Sequence, residues 1–132
     1  MDWTNSEAPS LDEIERLARA EYEALPAEFR SLCGGILFMV QEFPDDDVIR
    51  DMDLESEFDI LGLFHGSTLA QRVSNEGHPE PTMIFLYRRP ILDYWAENRG
   101  TLGVLVRHVI VHEMGHHFGL SDEDMEAIEG GR

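Results

Sequence analysis

Residues 102–118 read LGVLVRHVIVHEMGHHF, a long apolar-rich stretch that contains His112-Glu113-Met114-Gly115-His116. Its apolar spacing predicts a helix, and Gly119 directly after it is a typical helix terminator. Because residues four apart lie on the same face of a helix, His112 and His116 are expected to be one turn apart on one face. Two imidazoles placed in this way can bind the same metal ion, so this stretch carries the main chemical signal of the sequence.

The residue types of this stretch indicate zinc. Zinc accepts imidazole nitrogens, and a catalytic zinc site has three protein ligands and one position left open for water. Glu113 follows the first histidine, so its carboxylate is expected beside the zinc-bound water and not on the metal. Zinc lowers the pKa of that water towards ~7, and a carboxylate can then take its proton. The spacing therefore predicts a zinc-dependent hydrolase with Glu113 as its catalytic residue.

The third metal ligand is less clearly indicated than the two histidines. Gly119 allows a left-handed turn that can bring Asp122, six residues after His116, back to the metal. We therefore predict His112, His116 and Asp122 as the ligands. A carboxylate in third place is compatible with zinc that is weakly bound or absent. The candidates that follow His116 are His117, Asp122, Glu123, Asp124, Glu126 and Glu129.

Other side chains near the motif are expected to have supporting roles. His108 lies two turns before His116, about 12 Å along the helix axis, which is too far for one ion to bind both. We expect it outside the ligand set or on the surface. His117 is about 100° around the helix from His116 and is expected to pack locally. Tyr87 and Tyr94 are the nearest candidates for stabilising an oxyanion, although aromatic side chains more often pack in the core.

The rest of the chain predicts an α+β fold with helices around a small sheet. Ser10 and Glu13 form the pattern of a capping box, and a continuous apolar run follows Gly34. Predicted strands cover residues 35–40, 59–66 and 82–87, and the first reads as a buried strand. A long connection is expected over 66–81, rich in glycine and proline. Predicted helices cover residues 11–24, 91–98 and 102–118, with a short last helix capped by Ser121 and a helix or a loop over 46–54.

Length and composition indicate one acidic domain. The chain has 132 residues, 42% of them hydrophobic, which is enough for one core. We expect residues 1–9 to be a flexible tail and residues 10–132 to form a single domain. The formal net charge of −17 argues against binding to nucleic acid or to an anionic membrane, and favours cationic peptides.

Compartment and assembly are only weakly indicated. Cys33 is the single cysteine, which excludes an internal disulfide and is compatible with a reducing compartment. The first residues have neither a basic region nor an apolar core, so no signal peptide is expected and the predicted location is cytoplasmic. The sequence leaves the oligomeric state open.

Residues 112–125, HEMGHHFGLSDEDM, closely resemble the HExxHxxGxxD signature of the bacterial minimal zincin-like metallopeptidase family. This family was long described as a domain of unknown function and is related to the matrix-metalloprotease-like zincins. Residues 61–66 and 81–88 are similar to its second-strand and third-strand patterns, with Phe64 where tyrosine is usual. The resemblance implies a minimal zincin-like fold, with a three-stranded mixed sheet and the motif on a C-terminal helix. It also implies Zn²⁺ at His112 and His116, and Glu113 as the base.

Two functions of different kinds are therefore expected. The first is a zinc-dependent metallopeptidase that hydrolyses peptide bonds by Glu113-assisted attack of a zinc-bound water. Its substrate could lie as an added strand against an edge strand at residues 60–65 or 82–87. The alternative is a catalytically silent, metal-poor domain of the same fold that binds or regulates peptides or proteins. A metal-dependent nuclease is disfavoured by the acidic charge.

Overall fold

The computed structural model describes residues 3–33, 35–66 and 82–130. The connection predicted over residues 66–81 therefore lies, from residue 67 onward, outside the described residues. The elements are α1 (Leu11–Glu23), α2 (Ala27–Arg30), β1 (Leu37–Gln41), α3 (Asp46–Asp51), β2 (Gly62–His65), β3 (Met83–Tyr87), α4 (Arg88–Glu97), α5 (Leu102–His117) and α6 (Asp122–Glu129).

The three strands form one mixed sheet in the order β1-β3-β2. β1 runs parallel to β3, with Leu37 opposite Met83, and β2 runs antiparallel to it, with Gly62 opposite Leu86. The prediction of an α+β fold with a small three-stranded mixed sheet is thereby confirmed. The suggestion that residues 82–87 could receive a peptide at a sheet edge is wrong, because β3 is paired on both sides. Among the described residues, β2 lies at an edge of this sheet.

The prediction that the first strand is buried is wrong for one of its two faces. Phe38 is buried, but Leu37 is 49% exposed and Met39 is 40% exposed. Successive side chains of a strand point to opposite faces of the sheet, and α1 packs against β1 on the side of Phe38. The continuous apolar run did not reveal that the other face of this edge strand is open.

Side-chain caps satisfy the first amide groups of α1, α3, α5 and α6, whereas α2 and α4 have no such cap. The Ser10 hydroxyl accepts a hydrogen bond from the Glu13 amide at 3.1 Å, and the Glu13 carboxylate accepts one from the Ser10 amide at 3.0 Å, as the capping box predicts. α4 begins at Arg88, earlier than predicted. Pro90 is tolerated inside it because it lies in the first helical turn, where the backbone amide has no hydrogen-bond partner within the helix. Within the described ranges, no helix is both long and apolar enough to cross a membrane.

In the core, α5 packs against α1 and against the sheet. α1 packs against both β1 and α5, while α5 also contacts β2, α4 and α6. Cys33 is buried. This packing fixes the helix that carries the histidine motif relative to the edge strand β2. Side chains with no exposed surface in this core include Ile14, Ala18, Ile84, Leu86, Val106, Ile110 and Val111.

Gly62 allows β2 to approach α5 closely, and this contact can be tested. A Cβ atom at Gly62 would lie 2.7 Å from Val109 Cγ1 and 2.8 Å from the Phe85 carbonyl oxygen. We expect Gly62→Ala to lower the free energy of unfolding by about 1–3 kcal/mol, measured by urea denaturation. Gly35→Ala is the matched control, because a Cβ there meets nothing within 4 Å. Equal losses in the two variants would contradict the close approach of strand and helix.

Candidate metal centre

Three histidines follow one another along one face of α5. Thr101 is the N-cap residue of α5, and its hydroxyl accepts a hydrogen bond from the Val104 amide at 3.2 Å. The ring centroids of His108 and His112 are 3.9 Å apart, and those of His112 and His116 are 5.6 Å apart. The helical spacing therefore brings His112 beside a histidine on each side.

The residues of the H-E-x-x-H motif share one open cleft. His112, Glu113 and His116 line a cavity of about 260 Å³ beside the chain that leads into β2. The opposite wall is formed by the edge strand and the residues before it, so the cleft lies between α5 and a strand edge. The other lining residues are Asp59, Ile60, Leu61, Gly62, His108 and Val109.

Glu113 is one of two acidic residues that line this cleft, with Asp59, and it is largely shielded from solvent. Burial raises the pKa of Glu113 above its ordinary value, and the neighbouring His116 lowers it in part. The carboxylate thus takes up a proton more readily than one in water does. Such a group can both accept and return a proton, which is the property of a general base that later acts as an acid.

His112 lies in surroundings that disfavour its charged form. Burial is the main cause that lowers its pKa, and His108 and His116 lower it further, while the carboxylates of Glu129 and Asp122 oppose this effect. The neutral imidazole is the form that binds a metal. His112 is accordingly held in a state suited to metal binding.

The chain reverses after α5 and returns along the same helix. Gly119 adopts a left-handed conformation with φ of +74°, which ends α5 as its sequence position predicts. Ser121 then caps α6 by accepting a hydrogen bond from the Asp124 amide at 3.1 Å. A Cβ atom at Gly115 would collide with the side chain of Met125, so only glycine permits this close packing of α6 on the motif helix.

Asp122, the predicted third ligand, lies exposed in the first turn of α6. It does not line the cleft of His112 and His116. Its charge is nevertheless close enough to raise the pKa of His112 slightly. Asp122 as a zinc ligand stays a prediction.

Glu129, two turns further along α6, makes the closest carboxylate contacts with these histidines. Its Oε1 atom is 2.6 Å from His108 Nδ1 and 3.5 Å from His112 Nε2. Potential ligand atoms of His108, His112 and Glu129 all lie within 4.8 Å of one another, which is the spacing of a possible metal-binding group. The structure therefore gathers a different carboxylate from the one that the sequence favoured.

Sequence reasoning named Glu129 only as one of several downstream candidates and placed His108 outside the ligand set. His108 and His116 are two helical turns apart, as expected. This separation does not prevent His108 and His112 from binding the same ion. The available signal was the spacing of four residues between His108 and His112. What was missing was the direction in which α6 leaves the turn at Gly119.

The donor atoms present fit a zinc ion. Glu129 Oε1 is buried and has no hydrogen-bond partner among the described residues, although the nitrogen of His108 lies close to it. A buried carboxylate oxygen beside two imidazole nitrogens is an arrangement that a cation would satisfy. Imidazole and carboxylate groups are also ligands that zinc accepts.

The other predicted candidates lie away from this face. Tyr87 is buried in the core, and burial, with Asp45 and Glu113 nearby, raises its pKa to about 12. Tyr94 is half-exposed and lines a separate groove next to His108. His117 packs with its ring centroid 4.3 Å from that of Phe64, as expected for local packing. Neither tyrosine lines the cleft of the motif.

Comparison with known proteins agrees with the motif. No curated protein matches the chain. The model of a family described as zincin-like metallopeptidase matches residues 33–132, which include the sheet, α5 and α6. This match covers well over half of the 132 residues and confirms the resemblance seen at residues 112–125. The chain therefore belongs to the zincin-like metallopeptidase family.

Proposed function

We propose that this protein is a zinc-dependent metallopeptidase in which His112 and His116, with Asp122 as third ligand, hold the zinc ion. The observation that carries the proposal is that His112, Glu113 and His116 line the same open cleft. Membership of the zincin-like metallopeptidase family supports it, since this family implies zinc. The lowered pKa of His112 agrees with a role as a neutral ligand.

Glu113 performs the proton transfers in this proposal. Zinc, when bound, would polarise the scissile carbonyl and lower the pKa of the attacking water. The Glu113 carboxylate accepts a proton from that water and donates it to the nitrogen of the leaving amine. Glu113 lines the same cleft as His112 and His116, so it faces the same space as these proposed ligands. The bond broken is the amide bond, and the products are a carboxylic acid and an amine.

The substrate of this proposal is an extended peptide. β2 is an edge strand beside the cleft, and an extended chain can pair with such an edge through its main-chain groups. The net charge of −17, with Asp59 on the cleft wall, favours peptides that carry positive charge. Nucleic acids and anionic membranes fit this surface poorly.

One observation favours the alternative of a catalytically silent binding domain. The Nε2 atom of His112 lies 3.5 Å from Glu129 Oε1, so α6 folds with a carboxylate beside a nitrogen that zinc would use. A domain whose histidine is held in this way could keep the fold and bind peptides at β2 without turnover. Metal content and cleavage distinguish the two functions.

The proposal is tested with a peptide library enriched in Lys and Arg, incubated with zinc-loaded protein and analysed by mass spectrometry. We expect cleavage that stops when a chelator removes zinc and returns when zinc is added back, because polarisation of the carbonyl depends on the metal. A catalogue of cleaved bonds would also give the substrate preference. Protein that does not retain zinc after loading and cleaves no peptide would favour the metal-poor binding domain.

A further inference from the structure

We propose that His108, His112 and Glu129 form a second cation position, which shares His112 with the proposed catalytic position and is occupied only when the catalytic one is empty. The proposal rests on the proposed function only for the catalytic position. The ligand is a divalent cation with an affinity for imidazole and carboxylate groups, and zinc is its test case. A metal ion in the second position would lie away from His116 and would take no part in catalysis.

The three ligand atoms, which lie within 4.8 Å of one another, would adjust towards the spacing around a bound ion. With bonds of about 2.0–2.2 Å to a tetrahedral zinc, ligand atoms are roughly 3.3–3.6 Å apart. The distance of 3.5 Å between His112 Nε2 and Glu129 Oε1 already lies in this range. The distance of 2.6 Å between His108 Nδ1 and Glu129 Oε1 is shorter, and a small rotation of the half-exposed His108 ring would lengthen it.

The surroundings of the Glu129 carboxylate favour a bound cation. The Glu129 side chain is only 20% exposed, and its buried Oε1 atom has the imidazole nitrogens of His108 and His112 as polar neighbours, at 2.6 Å and 3.5 Å. A buried carboxylate is costly unless a positive group is close to it, and a cation bound between Glu129 and the two imidazoles would supply that charge. The two histidine nitrogens closest to this oxygen would complete a set of three protein ligands.

Sharing His112 makes the two positions mutually exclusive. An imidazole nitrogen has one lone pair for one metal ion, and His112 Nε2 is the nitrogen that faces Glu129. His108 and His116 are about 12 Å apart along the helix axis, so no single ion binds both. Glu113 is not part of the second group. An ion held by His108 and Glu129 would therefore occupy His112 without serving the cleft.

The test measures zinc binding itself by calorimetric titration and elemental analysis. We expect His116→Ala, a change at an exposed residue, to retain close to one zinc ion per chain. Adding Glu129→Gln to this variant should weaken the remaining binding by at least about 10–100-fold, because a ligand is lost. Adding Glu126→Gln is the matched control, since it removes the same charge from an exposed position of α6, and it should leave binding unchanged.

The outcomes separate this inference from the proposed function. If His116→Ala binds no zinc, or if Glu126→Gln weakens binding as much as Glu129→Gln, the second position is overturned, whereas zinc in the wild type still supports the catalytic one. Glu129→Gln alone should keep one zinc ion in the wild-type background. If it instead removes all zinc while His116→Ala retains it, the second position stands and the proposed catalytic ligands are contradicted. Circular dichroism checks that every variant is folded.

Discussion

Glu113→Gln is expected to abolish peptide cleavage while the protein keeps its zinc. The amide is nearly the same size as the carboxylate but cannot accept a proton from water, so the proposed base is lost. General acid–base catalysis contributes about 10²–10⁴-fold to a rate, and we expect a loss of at least this size. Cleavage of the best peptide from the library, measured per zinc-loaded chain, gives the rate, and elemental analysis gives the metal content.

Glu123→Gln is the control for this change. Glu123 is exposed in the first turn of α6 and does not line the cleft. Its substitution by Gln removes the same charge from the chain as Glu113→Gln does. It should keep the wild-type rate. Full activity in Glu113→Gln, with zinc bound, would rule out the proposed role of Glu113.

Met125→Ala is expected to have the largest effect on stability, a loss of about 2–5 kcal/mol in the free energy of unfolding. Met125 has no exposed surface and packs where Gly115 leaves room on the motif helix. Truncation would leave a cavity between α5 and α6 and remove the main contact that orients α6. Urea denaturation followed by circular dichroism measures the change.

The matched control is Met52→Ala, because Met52 is 48% exposed at the end of α3. Its truncation should change the free energy of unfolding by no more than about 0.5 kcal/mol. A similar small change in Met125→Ala would show that α6 is not anchored on α5 by this side chain, and the positions of Asp122 and Glu129 would then have to be re-examined.

The part of the site that depends on local spacing could be predicted from the sequence. His112 and His116 are four residues apart, and no tertiary contact is needed to place them on one helical face. The end of α5 at Gly119 and the cap at Ser121 also follow from local backbone preferences. The small mixed sheet could be expected from the resemblance to the zincin-like family.

What depends on packing between elements could not be predicted in this way. The proximity of Glu129 to His112 requires α6 to run back along α5, and this direction is set by Met125 packing against Gly115. The half-exposed side chains of β1 depend on which face of the sheet α1 covers. Likewise, Asp122 has the right spacing for a ligand, but spacing alone does not say how far its side chain reaches.

Zinc content after loading and desalting tests most directly whether the motif is a metal site. Wild-type protein is expected to retain close to one zinc ion per chain, and so is His108→Ala, because His108 is not a ligand of the proposed catalytic position. His112→Ala should lose the zinc, since it removes a ligand from both positions. Equal zinc in wild type and His112→Ala, or no retained zinc in folded wild type, would contradict a zinc site at His112.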